Sequence, residues 1–298
     1  MGSSMISKKG IIALSVTVFI WASTFTVIKI GLERITPLNL SFVRSILATF
    51  FLLGWLLLKG NQQEIARALK FHLGYIIGLG VVGVALFNIF QNIGIGLTSS
   101  GIASLLVASN PVFILILAAS FLGEKITKSK AAGIVLGFVG IIIVTFLGKN
   151  MALLLRSGSF WGNILALLSA VCWAVYSVMN KSALKRYSPL ILTALAYVFG
   201  SLILFFFCFT FEDVSLIFQW SLSSWLILLY LGILASGVTF YLWNYALSIM
   251  EASRVSVFIF LIPVLAILLG KVILNETITG FTFLGTALVL SGIYLMER

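Results

Sequence analysis

Residues 21–30 read WASTFTVIKI and residues 173–182 read WAVYSVMNKS. The two stretches stand 152 positions apart, and the same offset pairs Trp21 with Trp173, Lys29 with Lys181, Pro111 with Pro263 and Glu124 with Glu276. Working outward, it also joins Ala22 to Ala174, Arg34 to Arg186, Pro37 to Pro189, Gly80 to Gly232, Asn92 to Asn244, Ser104 to Ser256, Gly133 to Gly285 and Gly140 to Gly292. The chain holds only 7 Trp and 4 Pro, so a register that matches both without a gap marks an internal repeat.

Each copy is built of long apolar runs. Stretches near 10–30, 38–58, 74–95, 101–122 and 129–147 are followed by 160–180, 189–210, 224–247, 254–274 and 279–296. Each approaches the ~20 residues that cross a ~30 Å hydrocarbon core. They are too long and too evenly apolar for barrel strands, and lipid leaves the helix as the structure that satisfies its own backbone. The sequence therefore predicts an all-α integral membrane protein of ten transmembrane helices, with 61% hydrophobic and 9% charged residues in 298 and a mean hydropathy of +1.19. A soluble domain carries roughly a quarter charged residues.

The net charge of +11 has no Lys/Arg cluster suited to nucleic acid. Instead, of the 19 Lys and Arg, thirteen fall on the side of the N-terminus and five on the other, with Arg44 inside a span. The positive-inside rule then puts both termini in the cytoplasm and the protein in the cell membrane. Residues 1–9 are expected as a cytoplasmic N-terminus, 10–147 as the first five-helix repeat, 148–158 as an external linker and 159–296 as the second repeat. Five spans per copy, an odd number, insert the second copy upside down. Two inverted halves can exchange packings and open a central site to one side and then the other, which favours transport over catalysis.

WASTFTVIKIGL, the Arg44 in LSFVRSILA, LTSSGIASLLVASNPVFILILAASFLGEKIT and its second copy LSIMEASRVSVFIFLIPVLAILLGKVILNETIT resemble the EamA family of the drug/metabolite transporter superfamily over nearly all of 10–296. The resemblance implies a ten-helix carrier of amino acids, other small metabolites or drugs, usually an exporter. It specifies the fold better than the cargo.

Candidate site residues are the polar and aromatic ones at mid-span depth, each costly unless it faces a cavity or a partner. Trp21 and Trp173 lie near span centres, where they either pack helices or line a central cavity; Thr24 and Tyr176 follow one turn on. Asn88, Gln91 and Asn92 in span three, and Ser236, Thr239, Trp243 and Asn244 in span eight, fall on single helical faces, serving either helix–helix hydrogen bonds or substrate. Pro111 and Pro263 bend equivalent spans, as hinges or static kinks, and Asn110 stands beside the first. Lys29 and Glu276 at outer span ends, and Lys181 and Glu124 at inner ones, either form an ion pair at each mouth as gates or remain solvated. Arg44 either meets a substrate carboxylate or satisfies carbonyls.

All eight acids lie in loops or near span ends, which argues against exchange of a buried proton for cationic cargo and favours zwitterionic or neutral solutes. The lone His72 has no metal partner at ligand spacing, and Cys172 and Cys208 sit in apolar runs, so neither a metal nor a cofactor is expected. A membrane enzyme of lipid metabolism, the alternative, needs a cluster of His, Asp or Glu that the sequence does not offer. The expected partners are a small-molecule substrate and the bilayer, with the chain working as a monomer.

Overall fold

The computed structural model describes residues 8–59, 62–97, 100–147, 160–265 and 280–297, and among these every regular element is helical. The first half runs through α1 (Lys8–Gly31), α2 (Pro37–Lys59), α3 (Gln62–Leu97), α4 (Ser100–Val107), α5 (Asn110–Leu122) and α6 (Lys128–Phe146). The second runs through α7 (Phe160–Ala183), α8 (Pro189–Phe211), α9 (Leu222–Ile249), α10 (Ala252–Leu265) and α11 (Gly280–Glu297).

Of the ten apolar stretches, six are met by a helix long and apolar enough to cross a membrane: α1, α2, α3, α7, α8 and α9. The fourth stretch is not one helix. It breaks at Ala108–Ser109 into α4 and α5, and Pro111 stands in the first turn of α5 rather than kinking a continuous span. Proline suits that place because its missing N–H is not needed there. Pro263 follows a 3-10 turn at Phe258–Phe260 inside α10, so the two equivalent prolines interrupt their helices differently. Glu276 and the linker expected at 148–158 lie outside the described residues.

Pairs of equivalent residues meet along one axis. Thr49 and Ser201, separated by 152 positions, share a hydroxyl–hydroxyl hydrogen bond of 2.8 Å. In α6 and α11 a methyl added at Gly140 would lie 2.6 Å from the Gly285 carbonyl, and one added at Gly292 would lie 2.5 Å from that of Gly133. This reciprocal crossing of 133 with 292 and 140 with 285 makes the two helices antiparallel, as inverted copies must be. Small residues let the backbones approach where lipid gives no hydrophobic drive to pack.

Two of the acids that sequence alone leaves in loops or near span ends are spent on helix ends. Glu212 accepts from the N–H groups of Leu38 (3.0 Å) and Asn39 (2.7 Å) at the start of α2, and Glu64 from that of Ser188 (2.7 Å) before α8. A carboxylate at a helix N-terminus satisfies free N–H groups and complements the helix dipole. Matched π-helical segments, Val81–Leu86 in α3 and Tyr230–Val238 in α9, widen both helices beside the centre of the bundle. At Gly83 the ring of Tyr176 occupies the place a Cβ would take, so this close approach requires glycine.

Candidate transport cavity

A narrow central cavity of about 40 Å³ lies where the two halves meet, smaller than the roughly 300–1,000 Å³ of small-molecule sites. Trp21, Thr24 and Phe25 of α1, Arg44 of α2, and Phe87 and Gln91 of α3 line it together with Val107 and Asn110 around the α4–α5 break. Trp173 of α7, Ala235 and Phe240 of α9, and Ile259 and Ile262 of α10 complete the wall. Both repeats thus contribute, and the break and the 3-10 turn each bring residues to the lining.

Five aromatic side chains, Trp21, Phe25, Phe87, Trp173 and Phe240, belong to the wall. Trp173 lies 5.1 Å from Trp21, 5.0 Å from Phe87 and 4.9 Å from Phe240, ring centre to ring centre. Such pairs contribute about 0.5–1.5 kcal/mol each beyond the area they bury. The Trp21 indole N–H donates to Thr239 Oγ1 at 2.8 Å and to the Ala235 carbonyl at 3.1 Å.

Three buried polar atoms on the lining have no partner: Arg44 Nη1, Trp173 Nε1 and Asn110 Oδ1. Arg44 is 3% exposed; its Nε and Nη2 donate to Ser236 Oγ at 3.1 and 3.0 Å, and no carboxylate forms an ion pair with it among the described residues. Buried polar groups are ordinarily hydrogen-bonded and an uncompensated cation is costly, so three unpartnered atoms on residues that line one cavity make it the candidate site.

Five of the ten expected substrate residues line the cavity: Trp21, Thr24, Gln91, Asn110 and Trp173. The other five stand behind it. Asn88 donates to its own helix at the Val84 carbonyl (2.7 Å), Thr239 holds Trp21, and Trp243 donates to Ser177 Oγ (3.1 Å). Asn244 donates to the Tyr176 hydroxyl (3.0 Å) and Thr193 Oγ1 (2.8 Å). That last bond has an equivalent in the first half, Asn92 to Ser41 at 2.7 Å, so it belongs to the repeat's internal packing. Sequence reading missed Phe25, Phe87, Phe240, Ile259 and Ile262, because apolar side chains in apolar spans carry no signal of which way they face.

The charged span ends act through backbone groups. Lys29 Nζ donates to the Ile95 carbonyl (2.9 Å), and Lys181 Nζ to those of Leu247 (2.7 Å) and Met250 (2.6 Å), at the C-terminal ends of α3 and α9. Glu124 accepts from the Ala252 N–H (2.7 Å) and from Ser253 N–H (3.2 Å) and Oγ (2.5 Å), capping α10. The direct Lys181–Glu124 ion pair expected at the inner mouth is therefore replaced by two clasps on the α9–α10 turn, one from each side. A third joins Lys130 to Glu251 at 2.6 Å. Burial works to raise the Glu251 carboxyl, but the Lys130 hydrogen bond and the charges of Lys130, Arg254 and Lys181 outweigh it and hold the group below the usual carboxylate value.

Comparison with known proteins agrees with this architecture. An Archaeoglobus fulgidus protein named an uncharacterized transporter is 33% identical over 287 residues, covering 96% of this chain and 98% of its own. An Escherichia coli protein named a probable amino-acid metabolite efflux pump is 29% identical over 303 residues, covering 98% and 95%. A Streptantibioticus cattleyicolor protein named a probable terminal-alkyne amino-acid exporter is 28% identical over 291 residues, covering 98% and 94%. A crystal structure 19% identical in sequence superposes with a TM-score of 0.78 over 96% of both chains, a likeness of fold alone. With its model matched twice, at residues 8–146 and 160–298, the chain belongs to the EamA-like transporter family.

Proposed function

We propose that this transporter is a ten-span carrier of two inverted halves in the cytoplasmic membrane, both termini inside. It exports amino acids or related zwitterionic or neutral metabolites by alternating access. The observation that carries the reading is the trio of unpartnered atoms on the cavity. A carboxylate accepts from Arg44 Nη1 and Trp173 Nε1, an ammonium donates to Asn110 Oδ1, and the aromatic wall takes the side chain. No acid lines the cavity among the described residues, so a purely cationic cargo meets no counter-charge there. The names of the Escherichia coli and Streptantibioticus relatives support amino-acid cargo and outward direction.

The clasps of Glu124, Lys130 and Lys181 on the α9–α10 turn serve as the inner gate in this scheme, with Lys29 and Glu276 as the outer one. Ala108–Ser109, beside Pro111, and the 3-10 turn before Pro263 supply the hinges. One chain builds the whole cavity, so a monomer suffices.

Counterflow in proteoliposomes tests the cargo, comparing amino acids with their decarboxylated amines. Amino acids exchange and the amines do not, and Arg44→Met reduces exchange at least tenfold, since hydrogen bonds to a charged group are worth about 1.5–3 kcal/mol. Amines exchanging as fast as the parent amino acids, or full activity in Arg44→Met, would exclude this function.

A further inference from the structure

A second cavity system lies apart from the central one. Its apolar part is a groove of about 420 Å³ walled by Leu117 and Phe121 of α5 and by Val175, Val178 and Met179 of α7. Phe121 is 75% exposed, so one wall stands open to the surroundings of the bundle. From Val175 to Ser182 the helix rises about 10 Å, enough for the first part of one acyl chain. Tyr75 and Ser182 belong both to this groove and to a polar pocket containing His72, Lys185, Arg186 and Tyr187. An apolar channel thus runs into a basic mouth.

The mouth is held in shape by its own contacts. Arg186 Nη1 lies 3.0 Å from His72 Nε2, the Tyr187 hydroxyl 2.6 Å from His72 Nδ1, and the Tyr75 hydroxyl donates to the Met179 carbonyl at 2.7 Å. Guanidinium has five N–H donors, and among the described residues only Nη1 of the exposed Arg186 is engaged. Lys185 is exposed beside it. The Glu64 carboxylate accepts from the Ser188 N–H, so Lys185, Arg186 and Glu64 together leave the mouth with a net positive charge. Repeat symmetry supplies a control: 152 positions earlier, Glu33 stands where Lys185 stands, and Ser224 is the counterpart of His72. The other half therefore offers Glu33 and Arg34, without net charge, at its equivalent corner.

We propose that the groove and mouth hold one anionic phospholipid, its phosphate on Lys185 and Arg186 and the start of an acyl chain between α5 and α7. The inference rests on the membrane placement proposed above and not on what the central cavity carries. Charge complementarity selects the occupant, because basic pockets between spanning helices attract anionic headgroups. The continuous apolar groove requires that the phosphate arrive with a chain attached.

Native mass spectrometry of the detergent-purified full chain tests this, with phosphatidylglycerol, phosphatidylcholine and glycerol phosphate as probes. Phosphatidylglycerol is retained at least tenfold better than phosphatidylcholine, and glycerol phosphate does not displace it. Lys185→Glu, whose side chain makes no hydrogen bond among the described residues, removes most of the preference, and Lys185→Ala/Arg186→Ala removes all of it. Val175→Trp fills the groove and lowers retention of both lipids, whereas Arg34→Ala leaves the preference intact. Equal retention of the two lipids, an unchanged preference in Lys185→Glu, unaltered retention in Val175→Trp, or displacement by glycerol phosphate overturns the proposal, the last by identifying a soluble-anion site.

Discussion

Trp21 and Trp173 hold the same place in the two repeats and touch each other, ring edge to ring face at 5.1 Å and 87°. Equivalent residues meet only on the axis relating the halves, so the cavity lies on that axis. The two indoles are nevertheless unequal. Trp21 donates to Thr239, but the position equivalent to Thr239 is Phe87, whose ring packs on Trp173 and accepts nothing. The repeat builds the pair, and one substitution between copies leaves one N–H without a partner.

Trp173→Phe should therefore keep most of the aromatic packing while removing that donor. Substrate affinity in proteoliposome counterflow is expected to fall about tenfold or more, consistent with losing a hydrogen bond to a charged group, with a melting temperature in detergent close to the parent's. Trp21→Phe should behave oppositely, lowering stability by leaving Thr239 Oγ1 without the indole donor, although the Ala235 carbonyl still accepts from Thr239 Oγ1 at 2.7 Å.

The α6–α11 crossing leaves no space for a side chain. Gly140→Val forces a methyl against the Gly285 carbonyl and Gly292→Val against that of Gly133, so each is expected to destabilise by about 1–3 kcal/mol, as overpacking does. Gly54→Ala, where nothing lies within 4 Å of the added carbon, serves as the comparison, and detergent melting curves report the difference.

Thr49 and Ser201 form an asymmetric pair. Thr49 Oγ1 donates to the Ser45 carbonyl at 2.9 Å, so the shared bond takes its proton from Ser201. Thr49→Val strands the buried Ser201 hydroxyl and should cost about 1–3 kcal/mol. Ser201→Ala removes the donor without stranding Thr49 and should cost less, and combining the two should restore part of the loss in a double-mutant cycle.

The depressed Glu251 carboxyl makes the α9–α10 clasp acid-sensitive. A lowered native value means the ion pair contributes fully above the ordinary carboxylate range, about 4.3, and is lost as pH falls through the native value. Labelling of a cysteine introduced at Met250, taken at each pH relative to the same cysteine in the unfolded chain to remove the thiolate dependence, should rise over that acidic window and stay flat from pH 6 to 8. Lys130→Met should abolish the acid step, while Glu124→Gln, which weakens the cap on α10, should raise labelling at every pH.

Much of the candidate site was legible before any coordinates. Trp21, Thr24, Gln91, Asn110 and Trp173 stand out because polar or bulky groups at mid-span depth need a reason. Asn88, Trp243 and Asn244 satisfy the same criterion and yet face helix neighbours, since one helical face does not say which surface it meets. The roles of Lys181 and Glu124 were hidden for another reason: their partners are backbone carbonyls and N–H groups, and the sequence shows only side chains.

The sequence by itself determined the repeat, the apolar helices and the axis-related pairs of residues, because hydropathy and an ungapped offset are properties of order along the chain. Tertiary structure alone decided the break at Ala108–Ser109, the matched π segments and which of two equivalent tryptophans keeps an unpartnered N–H. Those features depend on which backbone and side-chain groups remain unsatisfied once helices pack, a balance struck between residues as far apart as Trp21 and Thr239.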